Sequence, residues 1–312
     1  MGYVIAIDIG GTQIRAAVYA HESHSPIQLQ RIQSHAPGEK VFDRLVGLVD
    51  SVRPRDGKVK AIGVSAPGPL DPHSGVVMTT PNIKEWREFP LTAKLAEQFG
   101  VPTFLDNDAN LAGLAEWKFG AGRGHHNVLY LTISTGVGGG VIIGDRLLQG
   151  HHGLAAELGH VTVDASRSAP VCGCGFRGHL EAFSSGTGIE RFVADELAAG
   201  KKSVLTGKPS AKKIAEAAMQ GDRLARKAYA RAGRYLGIGV ANYLHIFDPS
   251  IVILGGGVSM SGPLLFEPFE ASLREHVFHP RYLEGLVIAR AELGDDAGLL
   301  GALALARLKA EG

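Results

Sequence analysis

The chain has 312 residues, 45% hydrophobic and 20% charged, with 32 Lys and Arg against 31 Asp and Glu. That length exceeds what one core usually supports, so two lobes are expected. The near-zero net charge and ample apolar content exclude a disordered chain and an electrostatic grip on nucleic acid. The opening MGYVIAIDIGG has no basic start or cleavage site, and its apolar run is too short for a bilayer. A cytoplasmic protein without nucleic-acid or membrane partners is expected.

Residues 3–9, YVIAIDI, form a β-rich run that stops at Gly10-Gly11-Thr12, and QIRAAVYA then alternates as a returning strand, which predicts a hairpin. A third strand covers Ile27–Ser34. Over residues 40–53 the apolar positions Val41, Leu45, Leu48, Val49 and Val52 share one helical face. The strand KAIGVSA ends in Pro67-Gly68-Pro69, and a β segment around Val76–Thr80 precedes an amphipathic helix at Leu91–Phe99. PTFLDND then reads as a strand that passes into the helical ANLAGLAEWKFG. Alternating strands and helices predict a mixed sheet with helices on its faces.

From Asn127 the scheme repeats: NVLYLTIS meets the turn Thr135–Gly140 and returns as VIIGDRLL, which suggests two halves of related build facing one cleft. Residues 188–247 read as helical with a break at 200–210. The strand SIVIL ends at Gly255-Gly256-Gly257, and a last helix starts near Ala297.

Both cysteines lie between Glu157 and Glu181, as Cys172-Gly173-Cys174, with His160 before them and His179 after. Two thiolates and two imidazoles suit a tetrahedral zinc, which leaves Glu157 and Glu181 for other work. Such a pair flanked by histidines points to metal in a reducing compartment rather than to a disulfide.

Glycine turns at 10–12, 135–140 and 255–257 let backbone N–H groups approach an anion. None has the Walker A or dinucleotide spacing. Asp8 stands where it holds a Mg²⁺ bridging phosphates, or bonds its own turn. Asp108, at a strand end and helix start, is an N-cap or a general base in phosphoryl transfer. Asn82, Asn107, Glu157 and Glu181 offer the amides and carboxylates that a polyol needs. Trp86 stacks on a sugar face or fills the core. His21, His24, His35 and the adjacent pairs His125-His126 and His151-His152 are read as surface residues.

DIGGTQIR, SAPGP (65–69), PN (81–82), LDNDAN (105–110), STGVGGG (134–140), ELGH (157–160), CGCGFRGHLE (172–181), LGGGV (254–258) and DAGLLGA (296–302) occur in order along the whole chain. Together they resemble the ROK family of repressors, open-reading-frame kinases and sugar kinases. The resemblance implies an α/β, two-lobed, actin-like ATPase and sugar kinase fold of the ribonuclease H-like kind. ATP and a hexose would meet in its cleft. Residues 1–110 plus 297–312 would form the smaller lobe, with the C-terminal helix returning to it, and 111–296 the larger.

On the matching positions, Gly10, Gly11 and Thr12 would lie under the phosphates, with Asp8 near Mg²⁺. Thr135, Gly136 and Gly138 would form a second phosphate loop, and Gly255, Gly256 and Gly257 would face the adenosine. Asp108 would take the proton of the sugar 6-hydroxyl, within a ring of Gly68, Asn82, Asn107, Glu157, His160 and Glu181. His160 would bind zinc through one ring nitrogen and the sugar through the other. The family pattern Cys-x-Cys-Gly-x-x-Gly-Cys-x-Glu carries a third cysteine where this chain has His179. A Cys₂His₂ set is still a sound structural zinc site. The competing reading is a lost site with His179 on the surface.

The activity implied is phosphorylation of glucose at O6 by ATP. N-acetylglucosamine, N-acetylmannosamine, mannose and fructose are alternative acceptors, and polyphosphate an alternative donor. A sugar-responsive regulator would need a helix-turn-helix ahead of Asp8, where no room is expected, and a catalytically silent sugar-binding protein would not need Asp8, Asp108 and the phosphate turns. A homodimer is also implied.

Overall fold

The computed structural model describes residues 2–80 and 83–311. The chain runs through β1 (Gly2–Ile9), β2 (Gln13–Ala20), β3 (Gln28–Gln33), α1 (Val41–Val52), β4 (Lys58–Ala66), β5 (Leu70–Asp71), β6 (Val76–Thr79), β7 (Arg87–Phe89), α2 (Leu91–Phe99), β8 (Thr103–Asn107) and α3 (Asp108–Phe119). It continues as β9 (Val128–Ile133), β10 (Val137–Ile143), β11 (Arg146–Leu147), α4 (Glu181–Ser184), α5 (Gly186–Ala198), α6 (Ala211–Met219), α7 (Arg223–Phe247), β12 (Ile251–Gly255), α8 (Pro263–His276), β13 (Val287–Arg290) and α9 (Ala297–Glu311).

Two five-stranded sheets share one topology: β3-β2-β1-β4-β8 and β11-β10-β9-β12-β13. In each, the first two strands make an antiparallel hairpin, and the next strand pairs in parallel with the first. The repeat seen in the two glycine-turn hairpins is therefore a repeat of whole half-domains. Apolar runs such as YVIAIDI and IVIL are buried on both faces because helices cover both sides. A small sheet, β5-β6-β7, is added to the first half.

Helix α3 is buried almost all round, from Ala109 to Trp117. It packs on β9 and β10 of the second sheet, whereas α9 packs on β1, β4 and β8 of the first, and the two helices pack on each other. Their approach is close: a Cβ at Gly301 would stand 2.1 Å from the Leu111 carbonyl oxygen. The fold is thus two lobes joined back to back through α3 and α9, with a cleft between the C-terminal ends of their central strands.

Two features escape the sequence pattern. Helix α8 carries Pro263 at its start and Pro268 inside, which hides its periodicity. β13 is an edge strand with mixed polarity. Trp86 is 1% exposed and stacks on Phe89 at 4.9 Å, so it belongs to the core and not to a sugar platform. No helix among the described residues is long and apolar enough to cross a membrane.

Candidate active site

Two cavities meet in the cleft. The larger, about 840 Å³, is lined by Asp8, Thr135, Gly136, Gly138, Glu181, Gly255, Gly256 and Gly257 among others. The smaller, about 470 Å³, is lined by Gly68, Asn107, Glu157 and His160, together with the loop 153–156. Asp108, Ala109 and Gly138 line both. Asn82 lies outside the described residues.

The start of α3 places Asp108 at this junction. The helix is capped by its neighbour: Asn107 Oδ1 accepts the Ala109 amide at 2.9 Å and the Asn110 amide at 3.4 Å. Asp108 Oδ1 accepts the same Ala109 amide at 2.8 Å, so the two residues share the cap, and Asn107 keeps its amide nitrogen for a ligand. Asp108 faces the open cleft, yet protein surrounds it closely. Desolvation pushes its carboxyl up to about 6, opposed by the Ala109 amide and helped by the charges of Asp8 and Glu157. Just before it, fully buried Asp106 is also raised by desolvation, against the bonds from Asn110, Gln149 and the Asn107 amide.

In the larger cavity Asp8 Oδ2 accepts Arg15 Nη2 at 2.7 Å, and the same nitrogen donates to the Asp295 carbonyl at 2.6 Å. The pair faces across the β1–β2 hairpin, where Asp8 and Arg15 are register partners. Gly10, Gly11 and Thr12 form the turn itself, tied by Ser34 to the Gly10 carbonyl, and do not line either cavity. The start of α9 comes against Asp8, for a Cβ at Gly298 would stand 2.5 Å from Asp8 Oδ1. The N-terminal end of that helix favours negative charge in the cavity.

Glu181 lines the larger cavity and not the smaller one, in contrast to its expected place in the sugar ring. It braces the second glycine turn. Its Oε2 accepts the Val137 amide at 3.1 Å, and Gly136 has no room for a Cβ, which would meet the same oxygen at 2.5 Å. Behind the turn, the Gly186 amide donates to the Ser134 carbonyl at 2.7 Å.

The four expected metal ligands come together. One ligand atom each from His160, Cys172, Cys174 and His179 lie within 4.8 Å of one another. Cys172 Sγ is 3.7 Å from His160 Nδ1, and Cys174 Sγ is 3.2 Å from His179 Nδ1. Ligands at tetrahedral zinc distances stand about 3.5–3.8 Å apart, so the set fits that ion. His179 is thus a member of the cluster. Burial lowers its imidazole pKa, assisted by His160, which keeps the ring neutral for ligation. Burial pushes the Cys172 thiol up to about 12, a value a dication would reverse. His160 turns Nδ1 to the cluster and Nε2 toward Glu157, 4.0 Å away, on the wall of the smaller cavity.

Several residues in the cleft carried no local sequence signal. Fully buried Glu116 accepts the Glu292 and Leu293 amides at 2.9 Å each and the Ala121 amide at 3.0 Å, tying α3 to the return crossing before α9. A third cavity of about 610 Å³ adjoins the larger one at Ser134, Thr135, Gly257 and Met260 and extends to Glu190, Met219 and Tyr229.

The model of the ROK family matches residues 4–309. The chain belongs to the ROK family. It is 38% identical over 310 residues to a glucokinase of Thermotoga maritima, covering 97% of this chain and 96% of that protein. Among solved structures, a ROK hexokinase from Thermus thermophilus is 38% identical with a TM-score of 0.83, covering 99% of both chains. A ROK family glucokinase from Streptomyces griseus, solved with glucose and AMPPNP, is 35% identical with a TM-score of 0.77, covering 98% of this chain and 100% of that one. The two-lobed sugar kinase fold of this family is the fold described above.

Proposed function

We propose that this protein is an ATP-dependent glucokinase that phosphorylates glucose at O6. The observation that carries this is Asp108, a carboxylate with its pKa raised to about 6 at the junction of the two cavities. A base there touches both the acceptor hydroxyl and the incoming phosphoryl group. The similarity to glucokinases of 35–38% identity supports glucose as acceptor.

In this reading glucose occupies the smaller cavity. Gly68, the Asn107 amide nitrogen, Glu157 and His160 Nε2 contact its hydroxyls, and its 6-hydroxyl points to Asp108. Glu181 faces the junction from the phosphate side. The triphosphate lies in the larger cavity along the turns at Thr135–Gly138 and Gly255–Gly257. Its adenosine extends past Gly257 into the third cavity, whose Met219, Met260 and Tyr229 suit a flat apolar base. Asp8 Oδ1 is the oxygen left for Mg²⁺ once Arg15 has taken Oδ2. When bound, Mg²⁺ neutralises charge on the phosphoryl oxygens.

Asp108 accepts the proton of the 6-hydroxyl as that oxygen attacks the γ-phosphorus and ADP leaves. The glycine turns hold the phosphates through backbone amides, and the α9 N-terminus adds positive potential where charge develops. His160, Cys172, Cys174 and His179 would hold a structural zinc that orders the loop carrying Glu157. The lobes divide at the crossings, as 1–110 plus 297–312 and 111–296, and the active form is a homodimer in the cytoplasm.

An ADP-release assay over glucose, mannose, fructose, N-acetylglucosamine and N-acetylmannosamine at fixed ATP, with polyphosphate as a second donor, tests the assignment. Glucose with ATP is expected to give the highest kcat/KM. A tenfold preference for another acceptor, or no ADP release with any, would overturn it.

A further inference from the structure

The loop between β11 and His160 supplies Gly153–Glu157 to the smaller cavity. Its two ends are fixed to different lobes. At the far end Tyr243 of α7 donates its hydroxyl to the Leu158 carbonyl, inside the second lobe. At the near end Leu148 is still held by β10, its amide donating to the Val141 carbonyl at 2.8 Å, and the contacts that follow it cross to the first lobe. Gln149 Nε2 donates to Asp106 Oδ2 at 2.5 Å, and His73 Nε2 lies 3.2 Å from the Gly150 carbonyl oxygen. Gly153 is packed so tightly on the β5–β6 turn that a Cβ would stand 2.1 Å from Pro72 Cδ.

The first of these contacts is the demanding one. Asp106 is fully buried, and its Oδ1 is taken by the Asn107 amide at 2.7 Å and by Asn110 Nδ2 at 3.0 Å. Gln149 serves the other oxygen. A buried carboxylate deprived of a donor is strongly penalised, so the strand end and the loop are held together by the need to keep Asp106 satisfied. Asp106 is bonded to the Asn107 amide and to Asn110 in the first turn of α3, the residues that flank Asp108.

We propose that Gln149 is a positioning residue of the sugar site: its bond to Asp106 straps the loop bearing Glu157 to the strand end bearing Asn107 and Asp108. The inference rests on the sugar-phosphorylation reading above and assigns a new residue to that site. With the strap in place, the two walls of the smaller cavity hold their spacing before any nucleotide arrives. Sugar therefore binds to a preformed site, and loss of the strap weakens sugar binding while leaving nucleotide binding and chemistry nearly intact.

The test uses the full zinc-loaded chain, with glucose titrated calorimetrically in the absence of nucleotide and steady-state kinetics run alongside. Gln149→Leu keeps the size and removes the donor. It is expected to raise the glucose Kd and KM on the order of tenfold or more, with kcat and the KM for ATP within about threefold of wild type. Gln149→Glu brings a second carboxylate to Asp106 and is expected to be worse. Adding Asp106→Asn should restore binding, because the asparagine keeps an oxygen for Asn107 and Asn110 and turns its NH₂ to the new carboxylate. A wild-type glucose Kd in Gln149→Leu, a parallel loss of ATP affinity, or a double variant no better than Gln149→Glu would overturn the strap. Wild-type protein that does not bind glucose overturns the glucokinase assignment instead, and the same variants are then read with the hexose it does take.

Discussion

Cys172 Sγ lies 3.1 Å from Glu181 Oε1, and Glu181 Oε2 accepts the Val137 amide at the same 3.1 Å. One carboxylate therefore joins the Cys/His cluster to the glycine turn of the larger cavity, while His160 joins the same cluster to the smaller one. Outside α4, the segment around the cluster has almost no regular structure and only a small apolar core of Ala169, Cys172, Ala182 and Phe183. Protein isolated without a histidine tag is expected to carry about one zinc per chain. Stripping it should lower Tm by about 5 °C or more and raise the KM for both glucose and ATP. Elemental analysis with thermal melts checks this, and a zinc content near zero in fully active enzyme would refute it.

Asp108→Asn is expected to bind glucose and to lose roughly 10²–10⁴ in kcat. Its stability should move the other way. The folded-state pKa of Asp108 is raised above the unfolded value, so the folded state holds the proton more tightly, and stability is lost as pH rises from about 4 through about 6. At pH 7 the charge is a burden that asparagine removes. A melting temperature equal to or above wild type is expected, and a marked fall would show that Asp108 is a structural residue.

The same shift sets the acid limb of the rate profile. Asp108 works only when deprotonated, so kcat/KM should fall tenfold per pH unit below about 6. An ordinary solvated aspartate would keep the enzyme active to about pH 4. A pH series at saturating Mg²⁺ distinguishes the two, provided the melting temperature is followed over the same range.

Gly298→Ala separates helix propensity from site geometry. In an exposed helix the change would stabilise by about 1 kcal/mol. Here the added Cβ would stand 2.5 Å from Asp8 Oδ1, so Asp8 or the start of α9 must move. The variant is expected to melt lower than wild type and to show a raised KM for ATP with little change in glucose binding. A rise in Tm with unchanged ATP kinetics would contradict the contact.

The Cys/His cluster was legible in the sequence because its members fall within one short segment and few residue types can serve as soft ligands. Asp108 was legible too, since a carboxylate between a strand and a helix has only two uses. In the structure Asn107 accepts the Ala109 and Asn110 amides and Asp108 shares the Ala109 amide, while its carboxyl also lines both cavities. Glu181 was harder, because its neighbours in sequence do not reveal which side of a shared wall it faces. Gly10 to Thr12 were placed by their resemblance to a phosphate turn, but in this structure only Asp8 of that hairpin reaches the cavity. Gln149 and Glu116 were beyond reach: their partners lie 43 and 176 residues away, and nothing local marks either residue as paired.

Helix α9 covers the first sheet with side chains that are almost entirely buried, among them Ala302, Leu303 and Ala306. The strands it covers are made first and the helix last, roughly 190 residues later, on the order of 10–40 s of synthesis at a ribosome. Through that interval the nascent chain carries an uncovered apolar face on β1, β4 and β8. The vulnerable species for this protein is therefore the half-made chain, and chaperone demand should track translation rate more closely than the stability of the finished fold.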